Sequence, residues 1–156
     1  MLTRTLATML SFALIGAASA ACVPQTPHAP LAVRLDDSGA VEILDTQCKM
    51  QAVNRVEVIA PDPDTVVDDS DIRLWKVEFG SPSTARTYVV GEPQPGGDEV
   101  VAWRKPDPDQ RLFAQISTDG GMTLGTGFTL ADLADGKVRY HLENMTHEQF
   151  LEESKC

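Results

Sequence analysis

Cysteine is scarce in this chain: three in 156 residues, at positions 22, 48 and 156. That excludes a disulfide-dense scaffold and a zinc site built from four thiolates. Basic residues are also few, 13 Lys and Arg against 23 Asp and Glu, for a net charge of −10. Nucleic acid is excluded as a partner on that balance, because such affinity rests on neutralising phosphates with Lys and Arg. Histidine is confined to His28, His141 and His147. The stretch His147-Glu148-Gln149-Phe150-Leu151 lacks the second His that a zinc protease needs. His28 lies in a Pro-rich segment, His141 alternates outward from Val138, Tyr140 and Leu142, and His147 opens a terminal helix, so structural or surface roles are expected. There is no G-x-S-x-G elbow and no S-x-x-K. The glycines of DGGMTLGTGF (120, 121, 125 and 127) fit neither phosphate-binding spacing, and the segment reads as a flexible hairpin turn with glycine bulges.

Long apolar runs are confined to the first 21 residues. Arg4, the apolar stretch Leu6 to Ala18 and the small residues that follow have the layout of a signal peptide, residues 1–21. Two processing routes compete. Ala18-Ser19-Ala20 suits a signal peptidase releasing a secreted protein, whereas Ser19-Ala20-Ala21-Cys22 resembles a loose bacterial lipobox with Cys22 lipidated. The tether that follows, 22–30, is Pro-rich and aperiodic, which suits a spacer between a lipid anchor and a domain. Cysteine parity bears on the same choice: an exported chain with three thiols leaves one unpaired unless it is otherwise used. Acylated Cys22 leaves Cys48 and Cys156 as a pair, 108 positions apart; the rival pairing of Cys22 with Cys48 leaves Cys156 free. Export removes one Arg and no acid, so the mature chain is more acidic than the whole.

What is present is the pattern of a single β domain over 31–156, with 42% hydrophobic residues and 23% charged. LAVRLD and AVEILD alternate about the turn Asp37-Ser38-Gly39, a hairpin with Leu31, Val33 and Leu35 on one face. Further short runs follow at 53–60, 72–79, 86–91, 99–104, 111–117 and 137–142, separated by APDPD, GSPS, GEPQPGGD, KPDPDQ and TDGG. About eight short strands at this spacing predict a mostly β fold, an antiparallel β-sandwich or open barrel. Thr146 with Gln149 has capping-box spacing and predicts a C-terminal helix at about 146–153, packed through Met145, Phe150 and Leu151.

Two surface features are candidates for binding. Asp62, Asp64, Asp68, Asp69 and Asp71 crowd one loop, an oxygen-rich candidate site for calcium; the EF-hand order is not met, and a hydrated acidic loop is the simpler reading. Trp103, Arg104 and Lys105, beside KPDPDQ, form an aromatic and basic patch of the kind found at interface hot spots, with core packing as the competing role for Trp103. Trp75 reads as core.

The stretches AVRLDDSGAVEILDTQC and FTLADLADGKVRYHLENMTHEQFLEESKC resemble small exported proteins and lipoproteins of actinobacteria: an N-terminal hairpin followed by Cys, and a strand before an acidic terminal helix with Cys. The resemblance implies a Cys48–Cys156 bridge and a cell-envelope location, and implies no activity. The expected function is an exported, lipid-anchored or secreted binding or accessory module without catalytic activity or cofactor, acting on an envelope or extracellular protein, with contacts from loops 61–71 and 92–110. An exported hydrolase with a carboxylate or calcium-dependent site is the alternative, and an inhibitor or exclusion factor a further one.

Overall fold

A computed structural model describes residues 31–63 and 67–156. The expected signal peptide 1–21, the tether 22–30 with Cys22, and Asp64 lie outside the described residues.

The first hairpin forms as its alternation requires. Strands β1 (Leu31–Leu35) and β2 (Val41–Asp45) pair antiparallel with Val33 opposite Ile43. Then come β3 (Val53–Ala60), β4 (Ile72–Ser83), β5 (Thr87–Val89), β6 (Gly97–Val101), β7 (Leu112–Thr118) and β8 (Thr123–Phe128). A kinked 3-10 segment, Ala131–Gly136, precedes β9 (Val138–Tyr140), β10 (Glu143–Met145) and the helix α1 (His147–Glu153). The described strands make two antiparallel five-stranded sheets, ordered β10-β9-β1-β2-β5 and β6-β4-β3-β7-β8. They are not closed into a barrel, and the arrangement is the expected sandwich.

The main core lies between the sheets. Inward residues of β3, β4 and β7, including Val56, Val58, Trp75, Val77 and Ile116, meet Leu31, Val33, Ile43 and Tyr88 from the other sheet. Trp75 is fully buried as expected, and its indole N–H donates to Glu99 Oε1 at 3.0 Å, so the one polar atom of that ring is satisfied. On the outward face of β3, Glu57 is only 1% exposed; Gln115 donates to it at 2.9 Å, and the guanidiniums of Arg55 and Arg73 lie at 3.2 and 3.5 Å. A carboxylate so removed from water is tolerable only with such partners.

A second, smaller core explains why Ala32 is buried although it points away from the first. Ala32, Val138, Tyr140 and Met145 are covered by Phe150 of α1, whose ring meets Tyr140 edge-on at 5.3 Å. The helix starts as its spacing predicts: Thr146 accepts from the Gln149 amide, and the Gln149 side chain accepts from the Thr146 amide. Such a cap is worth about 1 kcal/mol. Leu151, expected to pack, is half exposed; Phe150 is the one buried residue of the helix. Cys48 and Cys156 are joined in a disulfide with Cα atoms 5.4 Å apart, which fixes the end of the chain to the segment after β2.

Three further expectations are corrected. GSPS does not separate two strands, because β4 runs on through residues 80–83. DGGMTLGTGF is not merely a turn: Thr123–Phe128 is an edge strand, its glycines lying flat under a neighbouring ring. The last β run breaks at Tyr140, because His141 and Leu142 adopt left-handed backbone (φ 49 and 65) as the two central residues of a tight turn into β10. Leu142 is therefore 66% exposed rather than inward.

Candidate functional site

Four connections meet at one end of the sandwich and enclose a recess of about 640 Å³. Each is locally determined. In the β1–β2 turn, Asp36 Oδ1 accepts from the Ser38 amide and hydroxyl and from the Ala40 amide at 2.7 to 2.9 Å, while Gly39 supplies the positive φ that closes the turn. The bond from the Ser38 hydroxyl, then that from the Ala40 amide, holds the Asp36 carboxyl below the usual carboxylate range. The loop after β5 is drawn in by Gln94, whose amide nitrogen donates to the carbonyls of Val89 and Glu92. The connection from β6 to β7 is tied to the 3-10 segment by a bond from the Ala131 amide to the Pro108 carbonyl.

Trp103 is the large side chain at the centre of this recess. Its indole is half buried against the main core and lies on Gly91, where an added Cβ would meet ring and side-chain carbons at 3.1 to 3.3 Å. Gly91 is therefore the seat of the ring. Leu35, Val41, Val90, Pro108 and Leu130 supply most of the remaining wall. Polar groups sit at the rim, where Ser38, Glu92 and Lys105 are exposed. The recess thus offers an apolar interior, one aromatic face, and one cation and one carboxylate at its mouth.

The expected patch of Trp103, Arg104 and Lys105 is divided by the fold. Trp103 and Lys105 face the recess, whereas Arg104, in the connection after β6, which ends at Val101 rather than running to 104, turns to the other side, its amide donating to Leu74 O and its guanidinium to Arg73 O at 2.9 Å.

No protein-family model, curated protein or solved structure matches the chain.

The acidic loop has a different logic. Asp71, 5% exposed, accepts from the Asp62 amide at 2.9 Å and the Asp68 amide at 2.7 Å, so its carboxylate closes the loop on itself. Asp68 accepts from the amide and hydroxyl of Ser70, which holds its carboxyl below the usual range. Asp69 is fully exposed, 3.6 Å from the Arg73 guanidinium. Among the described residues no three His, Cys, Asp or Glu side chains converge as a metal cluster. Of the histidines, His147 lies at the helix start with Nδ1 3.4 Å from Arg34 Nη1, and His141 stacks edge-on against Tyr140 at 3.9 Å.

Residues that sequence reasoning passed over are the walls: Leu35, Gly91, Pro108, Leu130 and Ala131 come from four separate connections. Only Gly91 carries a local signal, a glycine directly after a β run, and it reads as a turn residue rather than as the seat of an indole.

Proposed function

We propose that this chain is an exported cell-envelope binding or accessory module, lipid-anchored through Cys22 or released, whose loop end captures an apolar group of an envelope or extracellular partner. The observation that carries this reading is Trp103: a half-buried indole at the centre of an apolar recess of about 640 Å³, held by loops on a rigid sandwich. Recesses of that size with an aromatic wall and few polar groups suit small apolar ligands or a partner's anchoring side chain. The Cys48–Cys156 bridge supports an oxidising compartment, as export requires. Lys105 at the rim can pair with a negative charge on an apolar group, with Glu92 as the opposing charge of the same lining.

Anilinonaphthalene sulfonate has that chemistry and serves as the probe. Saturable fluorescence enhancement is expected, lost in Trp103→Ala and partly kept in Trp103→Phe, with Lys105→Ala weakening the sulfonate more than an uncharged naphthalene. Equal binding by Trp103→Ala, with the fold shown intact by near-ultraviolet dichroism of the buried Trp75, would overturn the assignment. A photo-crosslinking residue at position 105 should capture an envelope or extracellular partner. The mass of the mature N-terminus distinguishes lipidated Cys22 from a free terminus.

A further inference from the structure

The edge of the second sheet at β8 is built differently from the other sheet edges. β6 carries Asp98 and Glu99, β10 carries Glu143, and β5 is only three residues long. Charges and brevity of that kind block the addition of a further strand. β8, TLGTGF, has six residues and no charge.

The direction of its backbone groups follows from two bonds. Thr118 N donates to Met122 O at 2.8 Å, so that pair closes the hairpin, and Arg139 Nε donates to Gly127 O at 3.0 Å from outside the sheet. In an antiparallel ladder the phase alternates, so Thr123, Gly125 and Gly127 all turn N–H and C=O away from β7. Arg139 covers the Gly127 carbonyl. Among the described residues no strand pairs with the groups of Thr123 and Gly125.

Beside this edge lies a trough of about 630 Å³. Gly125 and Gly127 form its floor, the Phe113 ring lies over Gly125, and the exposed Leu142 and the guanidiniums of Arg111 and Arg139 border it, against one carboxylate, Asp132. Arg111 makes no ion pair among the described residues. Leu142 is held there by left-handed backbone, a conformation that costs a leucine about 1 to 2 kcal/mol. Strained residues of this kind concentrate at binding sites.

We infer that the Thr123–Gly125 edge and the adjoining trough form a second binding site, which takes an extended acidic peptide segment of a partner protein as an added strand. Alternating outward N–H and C=O groups are complemented in full only by another extended backbone. Gly127, with no atom closer than 3.9 Å to an added Cβ, leaves room for a side chain of that strand beside the Phe113 ring, Leu142 meets an apolar one, and Arg111 pairs with a carboxylate. A second copy of this chain is disfavoured, because an isologous contact would set the same guanidinium-rich patch against itself.

The probes are an acetylated decapeptide alternating Val or Thr with Glu, and its Lys-for-Glu counterpart, titrated into the full chain by amide NMR and fluorescence anisotropy. The acidic peptide should bind, shift and protect the amides of Thr123, Gly125 and Gly127, and the basic peptide should not. Thr123→Pro removes one outward N–H at an exposed edge position where Pro is tolerated, and should weaken binding about tenfold or more without loss of fold. Arg111→Glu should abolish the preference for acid at unchanged thermal stability. Four outcomes would each overturn the proposal: no binding of either peptide, shifts confined to another edge, affinity indifferent to both variants, or concentration-dependent dimerisation through β8. Amides of Thr123 and Gly125 already protected before peptide is added would assign the edge to another segment of the chain and overturn it equally.

Discussion

Gly125 and Gly127 stand two positions apart on one strand and should respond oppositely to the same change. A Cβ at Gly125 would lie 2.3 and 2.5 Å from two carbons of the Phe113 ring and 3.0 Å from the Ala114 carbonyl oxygen. Carbon atoms in contact sit about 3.5 to 4.0 Å apart, so the ring would have to move by more than about 1 Å. At Gly127 the nearest atoms are at 3.9 and 4.0 Å, which is ordinary contact. Neither glycine has positive φ, so Ala should favour folding at both by about 0.4 to 1 kcal/mol through the unfolded chain. At 125 that gain is outweighed by overpacking, about 1 to 3 kcal/mol. The net expectation is a loss of about 1 to 2 kcal/mol for Gly125→Ala and a gain of up to about 1 kcal/mol for Gly127→Ala. For a domain of this size each kcal/mol moves Tm by about 3 to 5 °C. Urea unfolding of Gly125→Ala, Phe113→Ala and the double variant then forms a cycle. With the ring gone the alanine should become neutral or stabilising, a coupling of about 2 kcal/mol. Gly125→Ala as stable as the parent, or a cycle additive within about 0.5 kcal/mol, would refute the claim that the glycine is there to receive the ring.

Replacing both Cys48 and Cys156 by Ser should lower the unfolding free energy by about 4 kcal/mol on the chain-entropy estimate for so long a loop, and hydrogen exchange should rise first in 147–153; unchanged protection there would show that Phe150 alone seats α1. Leu142→Gly relieves about 1 to 2 kcal/mol of left-handed backbone at a side chain that buries little, less about 0.4 to 1 kcal/mol for the freer unfolded chain, and a Tm rise of up to about 5 °C is expected by thermal melt; a fall would mean that the leucine makes contacts that outweigh its strain. Partial burial pushes the Asp132 carboxyl up, but bonds from Asn144 and Thr129 and the charge of Arg139 more than reverse this, leaving it below its ordinary 3.8. A depressed carboxyl contributes stability that is complete above its unfolded value and lost as pH falls below about 4. Asp132→Asn should therefore show a shallower fall of Tm below that pH than the parent, and parallel curves would remove the carboxylate from the account.

The core strands were legible because each buries one face: in β3, β4 and β7 the period of two survives in residues such as Val56 and Val58, or Ala114 and Ile116. By contrast, β6 buries none of its residues, and the gaps at 84–86 and 141–142 hold no Gly, Pro, Asn, Asp or Ser. The capping box at Thr146 and Gln149 is a local code and was read as such. β8 was not legible, since its outward positions are glycines whose partner is a ring on the next strand; the pattern becomes a strand only when Phe113 supplies the missing surface. Ala32 was hidden for a related reason, because its burial depends on a helix more than a hundred positions away.

The recess at the loop end shows the same division at a finer scale. Trp103 and Lys105 could be singled out from composition alone, an indole and a cation beside a Pro-rich loop, but Arg104 between them could not be excluded without the bonds that fix the segment after β6. Alternation along an extended backbone sends neighbours to opposite sides, and Leu74 and Arg73 supply the carbonyls that hold Arg104 away. The walls have no shared sequence signal because each is selected by its own turn: Leu35 by the end of β1, Gly91 by a positive φ, and Ala131 by a bond to Pro108. Their convergence is a property of where the sandwich ends its strands. An apolar recess at that end and an uncharged edge at β8 are therefore independent products of one architecture. Substitutions at Trp103 should leave strand addition at β8 unchanged, and Thr123→Pro should leave the recess unchanged, since no side chain lines both.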